Sequence, residues 1–148
     1  NWKGQKTLGR KDFAQIPNGG VGIEDRVRLI HHYGVNQGRI SLNRMVELLS
    51  TNPAKTFGLY PRKGTVAVGA DADLVIFDPK KPWTISKKTS HCLADHNLYE
   101  GRKVKGTPVA TLVRGKVVVE DNKLVIQPGH GQYIKRANFG EKLLAKGK

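Results

Sequence analysis

The run TNPAKTFGLYPRKGTVAVGADADLVIFDP, from Thr51 to Pro79, carries the densest structural punctuation in the chain. Asn52 suits an N-cap, and Pro53 suits the first helical position, where its missing N–H costs nothing. Gly58 supplies the left-handed residue that ends a short helix. Gly64 and Gly69 then bracket Thr65-Val66-Ala67-Val68, which reads as a strand. Leu74-Val75-Ile76-Phe77 reads as a second strand, buried on both faces and closed by Pro79. The order is helix, turn, strand, strand.

On the C-terminal side the pattern stays with strands. Trp83-Thr84-Ile85 is a short candidate, and residues 87–107 are polar and loop-like. Val109–Val113 and Val117–Glu120 form a hairpin around Arg114-Gly115-Lys116, and Asp121-Asn122-Lys123 turns the chain into Leu124-Val125-Ile126. This spacing suits a sandwich or a meander. From Gln127 onward few apolar positions recur, so an extended tail is expected, with a short helix near Glu141–Ala145.

The N-terminal side begins with turns. Gly4, Gly9, Pro17, Asn18, Gly19, Gly20 and Gly22 punctuate a stretch that reads as an irregular surface or active-site loop. Ile23, Val27 and Ile30 then fall at helical spacing, with Glu24 and Asp25 in the first turn, Glu24 paired to Arg28 and Gly34 as the stop. Ser41 caps a further helix whose Leu42, Met45, Val46 and Leu49 form one stripe. These helices need a surface to pack on.

The chain has 148 residues, 38% of them hydrophobic, which is enough for a real core. Its formal charge is +14, but the basic residues are scattered, with small clusters such as Lys80-Lys81 and Arg102-Lys103-Lys105. Neither an aromatic-rich RNA-binding pattern nor a zinc-finger spacing accompanies them, so a solvated surface is expected and no nucleic-acid partner. Cys92 is the single cysteine, which excludes an internal disulfide and fits a reducing compartment. No long apolar run argues for a membrane. Met45 is the only methionine, so Asn1 reads as an internal residue of a longer protein.

Chemistry-bearing patterns are few. His31 and His32 are adjacent on a helix and cannot make an i,i+4 ligand pair. His91, Cys92, Asp95 and His96 are ligand types in a polar connection without a second cluster, His130 stands alone, and no HxH pair occurs. Gly64 and Gly69 have the spacing of a phosphate loop, but Ala70 and Asp71 occupy the positions that need Lys and Ser or Thr. Asp71 and Asp73 precede a strand and read as turn caps. Cys92 has no activating partner in sequence. From the residues alone, no catalytic or metal-ligating residue is assigned.

NPAKxFGLYPRKGT followed by VGADADLVIFDP resembles the cyclic-amide hydrolases of the amidohydrolase superfamily, D-hydantoinase and dihydropyrimidinase. The resemblance extends through IPNGGVGIEDR, GRISLNR, TLVRGKVVVEDNKL and GQYIKR, nearly the whole chain. It implies an α/β fold class: the C-terminal fragment of a (β/α)8 TIM-barrel metal-dependent hydrolase, plus β-sandwich strands and an extended tail. Residues 1–59 would be the last barrel loop and helices, 60–126 the returning strands and 127–148 the tail. It also implies a binuclear zinc centre in the complete protein, held by histidines, a carbamylated lysine and an aspartate, all upstream of Asn1, so the fragment alone would be inactive. Ile16-Pro17-Asn18-Gly19-Gly20 is similar to the family's substrate loop, and the resemblance gives Asn18 the role of offering main-chain groups to the ring amide. A small cyclic amide as substrate, a homo-oligomer (usually a tetramer) and a cytoplasmic location follow from the same resemblance. Allantoinase- or dihydroorotase-like hydrolases, and the non-enzymatic collapsin response mediator proteins, are the alternatives it leaves.

Overall fold

The computed structural model describes residues 4–16 and 18–138. Two 3-10 helices (Gln5–Arg10 and Phe13–Gln15), inside the stretch expected to be an irregular loop, precede two longer helical segments and one antiparallel sheet. The first segment is α1 (Arg26–Ile30), which widens into a π-turn over His31–Val35. Ile23 lies outside it and is 81% exposed, so only Val27 and Ile30 of the expected stripe belong to the helix. Gly34 sits inside the π-turn, and the chain leaves the helical region only at Gly38, with φ 70°.

The second segment is α2 (Leu42–Val46), a π-turn over Glu47–Thr51, and α3 (Asn52–Thr56). Ser41 caps it as expected, its Oγ accepting the Arg44 N–H at 3.1 Å. Asn52 is not a cap. Thr51 before it is already helical, and the Asn52 N–H reaches the Glu47 carbonyl five residues back. Pro53 is tolerated because its missing N–H falls where the π-turn has already interrupted the i→i−4 ladder. Gly58, with φ 65°, ends the helix as its sequence position predicts.

The sheet is a meander in the order β1 (Leu74–Thr84), β2 (Lys103–Val113), β3 (Lys116–Glu120) and β4 (Lys123–Leu124). Arg114-Gly115 and Asp121-Asn122 connect the last three strands, all four residues with positive φ, as two-residue hairpin turns require. Several expectations change here. Thr65–Val68 is no strand, and Val66 and Val68 lie open to solvent. β1 is not buried on both faces, since Val75 and Ile76 are each more than half exposed. Pro79 does not close it either: β1 is an edge strand, where a missing donor is tolerated, and the register shifts between Asp78 and Pro82. β2 begins at Lys103, inside the stretch read as loop. The expected sandwich appears among the described residues as this single sheet.

The core lies where α1 crosses β2. Ile85, Thr107 and Val104 are buried there, and Met45 and Ala54 are buried on the second helical segment. β3 reaches only as far as Ala110, leaving the outer edge of β2 without a strand partner toward Lys103. Side chains of the first helical segment cover it. His31 Nδ1 donates to the Lys105 carbonyl (2.9 Å), Asn36 Nδ2 joins it (3.0 Å), and the Lys105 N–H donates to His32 Nδ1 (3.1 Å). The two adjacent histidines thus grip both main-chain groups of one residue, Lys105. Beyond β4 the described tail is extended, and the Ala137 N–H bonds back to the Gly58 carbonyl at 2.9 Å. The helix expected at Glu141–Ala145 falls outside the described residues.

Candidate functional site

A cleft of about 610 Å³ opens between the Gly20–Arg28 segment, the loop over residues 87–97 and one face of the sheet. Its floor is apolar, built from Val75, Val109, Val119 and Leu124. Polar groups gather at its rim. Gly20, two residues beyond Asn18, forms the start of one wall, and Asn18 itself is exposed beside it.

Glu24 organises that wall. Its Oε2 accepts from Ser90 Oγ (2.9 Å) and from the His91 N–H (2.9 Å), and its Oε1 accepts from His91 Nδ1 (2.8 Å). Burial works against its ionised form, but the bonds from His91 and Ser90 outweigh this, and its carboxyl titrates below the usual range. The expected Glu24–Arg28 ion pair is therefore not formed: Arg28 Nη1 donates to the Glu24 main-chain carbonyl at 3.3 Å and pairs instead with Asp25 Oδ1 at 3.9 Å. Arg28 is buried, and that burial pulls its pKa down while Asp25 and Glu24 support the charge. It donates to Thr107 Oγ1 (2.7 Å) and Asn122 Oδ1 (3.3 Å) and lies over the Trp83 ring (4.6 Å), tying α1 to three parts of the sheet. Asp25, also buried, accepts from Asn97 Nδ2 at 2.8 Å.

The other candidate ligands separate. His91 is taken by Glu24, His96 pairs with Asp95 at 3.1 Å, and Cys92 is exposed with a free thiol. Among the described residues no three His, Cys, Asp or Glu side chains come together as a metal-binding group, so they do not fit a binuclear centre. His130 Nε2 donates to the Val113 carbonyl at 3.0 Å, a structural bond.

Asp71 and Asp73 turn out to be ion-pair partners as well as turn residues. Asp71 accepts from Arg62 Nε (3.0 Å) and Lys63 Nζ (2.8 Å), and Lys63 also bonds Asp73. Asp73 Oδ1 meanwhile caps the Arg114 N–H at 2.8 Å. The Arg62-Lys63 and Asp71-Ala72-Asp73 stretches thus form one charge cluster, which fastens the entry of β1 to the β2–β3 hairpin. Opposite charges bracketing a Gly-rich turn were the signal for it in the sequence.

The amidohydrolase family profile matches residues 22–118. The chain belongs to the amidohydrolase family. Within that family its relatives include a D-hydantoinase of Geobacillus stearothermophilus, 57% identical over 140 residues, which are 95% of this chain and 30% of the relative. A dihydropyrimidinase of Rattus norvegicus is 48% identical over 93% of this chain and 26% of the relative. A crystal structure of D-hydantoinase superposes with a TM-score of 0.89 at 56% identity, covering 93% of this chain and 30% of that one. An L-hydantoinase from Arthrobacter aurescens gives 0.81 at 40% identity, over 89% and 29%. This amidohydrolase chain therefore spans about 30% of the length of the relatives it matches. No helix among the described residues is long and apolar enough to cross a membrane.

Proposed function

We propose that the complete protein hydrolyses cyclic amides of the hydantoin and dihydropyrimidine class, and that this chain supplies the segment closing one side of its substrate site. The observation that carries the reading is the 57% identity to a D-hydantoinase across 95% of the chain. On this reading residues 1–59 are the last barrel loop and helices, 60–126 the return strands and 127–148 the tail. Binuclear zinc would be held by residues outside this chain and would supply the activated water. A homo-oligomer, a tetramer by resemblance, and a cytoplasmic location belong to the same proposal.

The part played by this chain is recognition. Asn18 is exposed two residues before Gly20, the first residue of the cleft wall, and on this reading the small Gly19 and Gly20 let a planar ring approach the main chain. An amide ring presents a donor and an acceptor side by side, which one residue's C=O and N–H can match. The test is a pair of substitutions in the complete protein. Asn18→Ala keeps both main-chain groups and should lower kcat/KM only slightly. Asn18→Pro removes the N–H and should lower it about ten- to a hundredfold, the cost of one unmade hydrogen bond of ~1–3 kcal/mol, with circular dichroism confirming an intact fold. Equal damage from both would transfer the contact to the side chain. Absence of hydantoin and dihydrouracil turnover in the unsubstituted protein would sink the function itself.

A further inference from the structure

The segment that carries Asn18 is gripped from outside itself, on both flanks, by one loop. That loop runs from Ser86 to Tyr99 between β1 and β2. Its base is closed by two main-chain bonds of Ile85, to the Arg102 carbonyl (2.9 Å) and from the Gly101 N–H (2.8 Å). Glu100 ties its start, accepting from Ser86 Oγ (2.8 Å) and the Lys87 N–H (2.7 Å). On the far flank, Asp95 Oδ2 accepts the Gly4 N–H at 2.9 Å. On the near flank, the loop's Ser90 and His91 converge on Glu24 and its Asn97 on Asp25. Gly22 lies against the Tyr99 ring: a Cβ there would stand 3.1 Å from Tyr99 Cε2, and its φ of +120° suits no other residue.

From this geometry we propose that Glu24 is a positioning residue for substrate, its carboxylate locking residues 18–22 onto the Ser86–Tyr99 loop so that Asn18 stands at the cleft rim in binding geometry. The inference rests on the reading of Asn18 as a substrate contact. Three hydrogen bonds onto one carboxylate leave it little rotational freedom, and two of the donors come from a single residue, so the lock fixes direction as well as distance. A carboxylate that served only the helix dipole would need no such partners. The lock acts before chemistry, by keeping the loop in its binding form, so its loss raises KM and spares kcat.

The experiment compares Glu24→Ala, Glu24→Gln and Asn18→Pro in the complete protein, with dihydrouracil and hydantoin as substrates and amide hydrogen exchange as a second readout. Glu24→Ala should raise KM about tenfold with kcat within about twofold, and should speed exchange of the residue 19–22 amides while Val104 and Thr107 stay protected. Glu24→Gln, which keeps one acceptor oxygen, should fall between Ala and the unsubstituted protein in both readouts. Unchanged exchange at residues 19–22 in Glu24→Ala overturns the lock. Faster exchange with unchanged KM overturns its service to substrate, and so does a loss of protection that spreads to Val104 and Thr107 with kcat falling alongside. If Asn18→Pro leaves KM untouched while Glu24→Ala raises it, positioning by Glu24 stands and the contact belongs to another residue of the loop.

Discussion

Gly106 shows how tightly single residues are specified where α1 meets the sheet. Its φ is +102°, and a Cβ built there would lie 2.2 Å from His31 Nδ1 and 2.9 Å from Phe77 Cζ. Neither neighbour can move aside. His31 is buried, bonded to Lys105 and packed edge-on against the Phe77 ring at 4.7 Å. Gly106→Ala therefore adds backbone strain to overpacking and should destabilise the protein by about 3 kcal/mol or more. Urea unfolding of the complete protein measures it, and a change below about 1 kcal/mol would show that the helix can withdraw from β2 at little cost. Nothing in the periodicity around Gly106 announced this role. It sits between two polar residues in a stretch read as a loop, and its constraint comes from a histidine 75 positions away.

At the scale of elements, capping and turn chemistry were legible because they act locally. Ser41, Gly58 and the Arg114-Gly115 hairpin each do what a short window of sequence says. What was not legible depended on distant partners. Asn52 is an excellent cap by type, yet the π-turn before it carries the helix straight through. Glu24 had Arg28 one helical turn away and took His91 instead, 67 residues on. The lining of the cleft could not be read for the same reason: it joins residues from opposite ends of the chain.

The Glu24 contact and the more local Asp71 cluster also set an acid limit on stability. The carboxyls of Glu24 and Asp71 both titrate below their ordinary values. In each case burial opposes the shift, and it is overcome at Glu24 by His91 and Ser90 and at Asp71 by Lys63 and Arg62. The unfolded chain then binds protons more readily than the folded one. Their contribution is complete above the unfolded values, about 4.3 for Glu and 3.9 for Asp, and is lost as pH falls through the lower folded values. Denaturation of the complete protein between about pH 6 and pH 3 should show that decline, flattened in a Glu24→Gln, Asp71→Asn double variant. An undiminished slope in that variant would assign the acid limit to other carboxyls.

Across the described residues, large apolar side chains stand exposed on both the helical segments and the sheet. Leu42, Val46 and Phe57 on or beside the second helical segment, and Val75 and Ile76 on β1, are all exposed. Faces of this kind associate in water. Residues 1–148 produced alone should therefore form oligomers or aggregates in light scattering, and should turn over neither hydantoin nor dihydrouracil with added zinc. A cooperative, active monomer would contradict both expectations and the proposed division of labour with the rest of the protein. The edge of β1 gives that association a direction. Around Pro79 and Pro82 two main-chain donors are missing and the register is broken, so a strand from another copy finds nothing regular to copy there. From Leu74 to Ile76 the same strand keeps regular register and carries the exposed branched side chains of Val75 and Ile76, before a first irregularity between Ile76 and Phe77. The strand is thus self-limiting along most of its length, and a strand from another copy of the isolated chain would find a regular edge only over Leu74–Ile76 before the irregularities and the prolines stop it.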